Sequence, residues 1–324
     1  CLWILAAGLF ASAVSPTLPS LFAVRFCSGL AAGGVIPACM ASLGDRFAGP
    51  QRSLAIARFV MVGLIAQILS ASFSGMIASQ LSWRSVFFVS AAIASASAII
   101  ATLFLRTPAG PRTKFSVQAA ADNYRSVFAN PRAPLCFGTV FLEGIALFGI
   151  TPFVAEILRL RGLGGAPQAG MIIGCLGIGG IIYSFMLPAL LKRFSKFALL
   201  GAGGAIAAAA PAALIFLPYW PAVAAGFAVG GFGYMLMHNS IQSEAVELAP
   251  KSRVSAYSMH AFSFFAGQSL GPLVAGLWFR NFGPTVMLAI SAAILACTGF
   301  VMSQGFIRLA KIAPERSAAS NQGP

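Results

Sequence analysis

Hydrophobic positions along this chain come in long unbroken runs. They show neither the strict alternation of half-buried strands nor the one-sided 3.6-residue stripe of a surface helix. Runs of about 20 apolar residues match a helix crossing a ~30 Å hydrocarbon core. They predict ten membrane-spanning helices, at roughly 2–14, 18–42, 55–79, 84–105, 134–157, 168–191, 197–217, 221–242, 255–279 and 285–307. Barrel strands would alternate over about ten residues, so a membrane β-barrel is excluded by run length. Gly, Ala and Ser recur inside the runs, and in a bilayer such residues let helix backbones approach closely. The pattern is that of an all-α, polytopic membrane protein.

Composition agrees with this class. Hydrophobic residues make up 58% of the 324 and charged residues 9%, against about 25% charged in ordinary soluble domains. The formal charge of +14 invites a nucleic-acid reading, which its distribution removes. One set of helix ends holds 16 of the 21 Lys and Arg residues, the opposite set holds Arg84, Arg159, Arg161 and Arg280, and Arg25 falls within a span. That asymmetry is the positive-inside rule. It places the loops near 50, 120, 194 and 250, and the C-terminal tail, in the cytoplasm, with the chain expected to be multi-pass in the cell's inner (plasma) membrane. The six cysteines fall within apolar runs without paired spacing, so neither a disulfide framework nor a metal site is expected. No cofactor motif is present.

Sliding the chain against itself shows one repeat, at an offset of 201 residues. It aligns Arg52 with Arg253, Gln67 with Gln268, Gly75 with Gly276, and "SAAI" at 90–93 with "SAAI" at 291–294. The helices at 134–157 and 168–191 have no partner in the first half. Two six-helix pseudo-repeats follow, with ten helices present and two expected to precede Cys1. The expected organisation is then residues 1–106 (helices 3 to 6), a cytoplasmic linker at 107–132, and a C-terminal six-helix half at 133–324 with a short tail. In the linker, Phe115, Val117, Tyr124, Val127 and Phe128 could form one side of an interfacial helix.

Ionisable groups inside a bilayer cost about 2.5–3.5 kcal/mol each even on lenient scales, so they point to function. Glu143, in "FLEGIALFG", lies nine residues into its helix, about 14 Å deep. A desolvated carboxyl group favours its neutral form and can carry a proton; the alternatives are a packing hydrogen bond or a pairing with Arg25. Arg25 itself requires a carboxylate, a carbonyl or a watered cavity, either for coupling or as an anchor. His238 and His260 can titrate in the physiological range or serve as packing residues. Tyr183, Asn239 and Gln268 are expected polar cavity liners, whereas Phe141, Phe148 and Phe153 are expected to pack helices. Glu244 and Glu247 read as solvated loop charges. "SFSG" at 72–75 faintly suggests a serine nucleophile with His260 as base, but nothing requires the two to meet and Asp-rich metal motifs are absent. An enzyme is not expected.

Arg25, Ser28, Gly29, Ala31 and Ala32 resemble the helix-4 pattern Arg-x-x-Gln-Gly-x-Gly-x-Ala of the major facilitator superfamily, with Ser28 in place of Gln, Ala31 in place of Gly and Ala32 one position before the closing Ala. Helix 11 carries Gly267-x-x-x-Gly271-Pro272 and then Gly276, a spacing that resembles the family's antiporter motif. That motif is normally in helix 5, where this chain has Ser74 and Gly75 and no proline. "WRSVF" at 83–87 resembles the usual start of helix 6, and Asp45 the acid that pairs with the helix 2–3 loop. "GIGGIIYSF", "HNSIQSEAVELAP" and "FAGQSLGP" look like the drug–proton antiporter branch, including arabinose-efflux-like permeases. The resemblance implies twelve helices in two parallel repeats, a monomer, and proton-coupled efflux of a small organic molecule, drug or sugar-like, by alternating access. Uniport or symport of a small metabolite stays open. Its implied partners are that substrate, protons and the lipid bilayer.

Overall fold

The computed structural model describes residues 1–47, 49–104, 116–250 and 252–320; side chains at scattered helical positions between 37 and 64, at 119 and 120, and from 309 onward lie outside the described set. The regular structure among the described residues is all helical, without strands. Each of the ten expected runs is helix, and the chain is an all-α polytopic membrane protein. Six stretches are long and apolar enough to cross a membrane among the described residues, and the last of them, Arg253–Arg308, contains two of the expected helices. The chain forms two compact units, Cys1–Lys114 and Phe115–Pro324.

The first unit contains α1 (Leu2–Ala13), α2 (Leu18–Gly33), α3 (Val35–Arg46), α4 (Gly49–Gln80) and α5 (Trp83–Phe104). A capping box opens α2: Thr17 accepts from the Ser20 amide at 3.3 Å, while Ser20 Oγ accepts from the Thr17 amide at 3.2 Å. These bonds occupy amide donors that a helix start otherwise leaves free. The run expected at 18–42 is two helices, because Gly33 and Gly34 interrupt it. α1 packs against α5 through Phe10 and Phe88, with ring centroids 5.7 Å apart, and through Trp3 Nε1 donating to Thr102 Oγ1 at 3.2 Å.

The second unit contains α6 (Val117–Phe128), α7 (Ala133–Glu143), α8 (Val154–Leu160), α9 (Ala166–Arg193), α10 (Lys196–Ala207), α11 (Ala209–Phe216), α12 (Trp220–Glu247) and α13 (Arg253–Ser320). Three places depart from single expected spans, the simplest being the break at Ala208 between α10 and α11 within the run expected at 197–217. Between α7 and α8 lie a π turn at Gly144–Phe148 and a 3₁₀ turn at Thr151–Phe153. Gly144, Gly149 and Pro152 supply the cause: low helix propensity at two positions and a missing amide at the third. α13 bends at Gly283, whose φ of 82° lies in the left-handed region, which glycine enters without a Cβ clash. That bend separates the two helices expected at 255–279 and 285–307.

Small residues carry the packing of this unit. Backbone atoms of Phe141 abut Gly267, Gly149 abuts Gly271, and Phe153 lies against Gly276, so α7 and its continuation run alongside the first part of α13 in parallel. Gly179 and Gly231 bring α9 and α12 together, Gly203 and Gly233 do the same for α10 and α12, and Gly204 meets Gly299 in the returning part of α13. Lipid tails are as apolar as the side chains, so close packing of this kind, rather than hydrophobic burial, holds membrane helices together. Large apolar side chains accordingly point outward, among them Phe185, Phe262 and Leu273.

Candidate functional site

The second unit contains two buried carboxyl groups, set at different depths. Glu143 ends α7, immediately before the π turn, and has no solvent exposure. Its Oε1 lies 3.1 Å from Nδ1 of His238 on α12. Its Oε2 is buried without a hydrogen-bond partner among the described residues, as is Nε2 of His260 on α13. The His238 ring stands 5.1 Å from that of His260 and 4.9 Å from that of Phe264, both edge to face. Tyr234, one turn before His238, lies 5.2 Å from its ring, and Phe148 from the π turn contacts both Tyr234 and Phe264 at 5.7 and 5.5 Å. The result is a three-helix polar cluster inside an aromatic shell.

Local geometry explains how Glu143 arrives there. The π turn starts one residue after it, and a single wide turn rotates the residues beyond it relative to the preceding helix; such bulges recur at functional positions. Gly144 then faces the backbone of α13, where a Cβ would lie 2.6 Å from the Phe264 carbonyl and 2.8 Å from the Gln268 amide. The absence of that Cβ lets α7 and α13 approach closely enough to bring Glu143 to the histidines. The Gly267 and Gly271 contacts continue the same seam.

A proton shared by Glu143 and His238 has two resting places, the carboxyl oxygen and the imidazole nitrogen. An ionised carboxylate accepts only, whereas imidazole can donate and accept. Two titratable groups at 3.1 Å therefore form a unit that can exchange one proton with little movement.

The second carboxyl group corrects an expectation. Glu244, read as a solvated loop charge, is buried at 4% exposure near the end of α12. Lys196 Nζ lies 2.6 Å from its Oε1, and Arg132 Nη1 lies 3.9 Å from Oε2. Glu247, with a side chain 67% exposed and 3.7 Å from Lys196, is the solvated member. α6 closes over the same end. Ser252 donates to Asn123 Oδ1 at 2.8 Å and lies 3.2 Å from Ser126 Oγ, and Asn130 Nδ2 donates to the Leu248 carbonyl at 3.0 Å. The start of α7, the end of α12 and the start of α13 thus share one end of the bundle.

The other expected site residues are placed elsewhere. Tyr183 is buried against Phe232, with centroids 6.3 Å apart, and Asn239 turns its amide to the Met235 carbonyl at 3.2 Å. Gln268 is half-buried, one turn beyond Phe264. Arg25, in the first unit, holds its guanidinium 5.5 Å from the Phe87 ring centroid, a cation–π distance. Within the second unit, the side chain that Glu143 meets is His238. Gly29 has nothing within 4 Å of a Cβ position, and the tight contact falls one residue earlier, where Ser28 meets Gly8. Gly75 is half-buried within α4 and Pro272 continues the α13 seam; the side chain of Asp45 lies outside the described residues. The sequence reading missed Tyr234 and Phe264, although their i, i+4 spacing to His238 and from His260 marks them as same-face neighbours. Phe148, expected to pack helices, does so within this shell. A separate recess of about 410 Å³ between Pro134, Leu142, Cys297 and Val301 is apolar and contains no titratable pair.

Comparison with known proteins adds the family. In sequence the chain is 26% identical over 283 residues to an uncharacterized MFS-type transporter, YceJ, of Bacillus subtilis (strain 168), spanning 84% of this chain and 69% of that one. A second such protein of the same organism, YwfA, is 26% identical over 303 residues, spanning 91% and 72%. Among solved structures, a nucleoside transporter, NupG, superposes with a TM-score of 0.72 at 18% identity, over 93% of this chain and 81% of that one; at that identity the likeness shows the fold alone. The profile of the Major Facilitator Superfamily matches residues 1–258. The chain therefore belongs to the Major Facilitator Superfamily, as a membrane transporter of small molecules and not an enzyme.

Proposed function

We propose that this transporter is proton-coupled and exports a small organic molecule, drug or sugar-like, by alternating access. The observation that carries the reading is the wholly buried Glu143 with His238 at 3.1 Å. Intramembrane ionisable residues are functional by default, and acid–histidine chains are a common form of proton relay. The positive-inside distribution supports an inner-membrane orientation with the Arg132–Lys196–Glu244 end and the C-terminal tail in the cytoplasm. Arg25, Tyr183, Asn239 and Gln268 are assigned to the substrate path, and the Gly267–Gly271–Pro272–Gly276 seam to the close packing that keeps the second half a unit while it moves. The protein acts as a monomer in this reading.

Everted membrane vesicles energised by respiration, with an acridine dye reporting the internal acidity, test it. Adding small organic compounds one at a time should collapse the pH gradient for those exported in exchange for protons. Glu143→Gln keeps the size and hydrogen-bonding capacity of the side chain but cannot release a proton. It should reduce that exchange by about 100-fold, at the low end of what one positioned acid–base group contributes. Wild-type exchange in the Gln variant would overturn the assignment. Transport that proceeds without dissipating the gradient would mark a uniporter, and transport that follows the proton would mark a symporter.

A further inference from the structure

Glu143, His238, His260 and Tyr257 form a descending series. Glu143 is ten residues from the start of α7, His238 nine from the end of α12, His260 seven and Tyr257 four from the start of α13. At 1.5 Å per residue they lie about 15, 14, 10 and 6 Å from the charged end of the bundle. Hydrogen bonds and ion pairs tie those three helix ends together, so the depths share one reference plane. Contacts are continuous along the series: 3.1 Å from Glu143 Oε1 to His238 Nδ1, 5.1 Å between the imidazole centroids, and 6.4 Å between the stacked rings of His260 and Tyr257. Tyr257 is 44% exposed, whereas His260 is 1% exposed. Buried Nε2 of His260 has no hydrogen-bond partner among the described residues, so one ring nitrogen is free to take or give a proton.

We infer that His260 is the second station of a two-imidazole relay that moves the Glu143 proton to and from the charged end of the bundle. This rests on the proton-carrying reading of Glu143 and adds a route to it. On release, the Glu143 O–H bond breaks and the proton adds to His238 Nδ1, giving a carboxylate and an imidazolium. His238 then gives up the proton on its other ring nitrogen to His260 Nε2. Neutral His238 is left as the opposite tautomer, and the imidazolium moves to His260. A small rotation of either ring closes the edge-to-face gap. His260 finally releases its proton towards the face beside Tyr257, and ring reorientation resets the tautomers. Uptake runs the same steps backward. Among the described residues, Tyr234 on α12 and Tyr257 on α13 are the titratable side chains in ring contact with the series, and Phe148 and Phe264 of the aromatic shell accept no proton.

The test tracks the proton without needing a substrate. Purified full-chain protein in lipid is switched between alkaline and acidic buffer while infrared difference spectra record the protonated-carboxyl stretch. The component lost in Glu143→Gln belongs to Glu143. His260→Phe fills the space without a transferable proton, and His260→Gln is the second variant should Phe disturb folding. Both should keep the Glu143 band at equilibrium but slow its appearance after a pH jump by about tenfold or more. Free imidazole should restore the rate in His260→Ala, which a packing role would not explain. Wild-type rates in both His260→Phe and His260→Gln would overturn the relay and leave Glu143 as a proton carrier. Absence of any Glu143 band in the unmodified protein would overturn both readings.

Discussion

Glu143 and Glu244 are both buried carboxyl groups in the same helical unit, yet their surroundings differ in kind. Glu244 sits between Lys196 at 2.6 Å and Arg132 at 3.9 Å, cations whose side chains remain about 30% exposed. Glu143 has a single imidazole and an aromatic shell, with one oxygen lacking a hydrogen-bond partner among the described residues. A carboxylate held by permanent cations gains nothing by taking up a proton, because that would leave two charges poorly compensated. A carboxyl group beside imidazole loses little by doing so, since its partner can become neutral in step. The same residue type is an ion-paired strut at one depth and an imidazole-paired carboxyl at another, which we propose exchanges a proton. The partner sets the role.

The most drastic way to break this contrast is to give Glu143 the partner type of Glu244. In His238→Lys the neighbour is an ammonium that stays charged through the working pH range, so the carboxylate is held ionised and the relay is cut. Proton-driven exchange in vesicles should fall by about 100-fold, as for Glu143→Gln. Substrate exchange without a gradient should persist at a measurable rate. Retained coupling in His238→Lys would mean that the imidazole is not part of the proton path.

Next in size is the strut itself. Glu244→Ala removes the counter-charge of Lys196 and Arg132. Breaking a fully buried pair costs about 3–5 kcal/mol, and these cations can partly rehydrate, so a loss of about 2–3 kcal/mol is expected. A lowered unfolding temperature in detergent would report it. Glu143→Gln should change the same measurement by under about 1 kcal/mol, because glutamine can keep a hydrogen bond to His238. Equal losses in the two variants would erase the distinction between strut and exchangeable site.

How far the sequence revealed this arrangement depends on how local each signal is. Ten apolar runs became helix because run length is a property of the chain alone, and the Gly283–Pro284 break and the Gly267–Gly271 seam follow from residue type and spacing. Glu143 stood out because an acid in an apolar run is conspicuous by itself. His238 stood out as well, but not as its partner, because it lies 95 residues away and no periodicity links α7 to α12. Glu244 was misread for the same reason: its neighbours are polar in sequence, while its burial comes from Lys196 and Arg132 on other helices. The interruption after Glu143 was half-legible. Gly144, Gly149 and Pro152 warn of a weak helix, but whether it opens as a π turn depends on the helices packed against it.

The smallest effects lie along α7, which links the two carboxyl sites: Arg132 caps one end and Glu143 closes the other. Two of its neighbouring glycines should respond in opposite directions. Gly144 faces the α13 backbone, with a Cβ position 2.6 Å from the Phe264 carbonyl. Gly144→Ala must push the helices apart at the Glu143–His238 contact, at a cost of about 1–3 kcal/mol. Gly138 has nothing within 4 Å of its Cβ position and borders the open apolar recess. Gly138→Ala should therefore gain up to about 1 kcal/mol, since alanine has the better helix propensity and meets no obstacle. Thermal unfolding of both variants in the same detergent gives the comparison directly. A Gly144→Ala protein as stable as Gly138→Ala would show that close approach of α7 and α13 does not hold Glu143 in place, and the π turn alone would then have to account for its position.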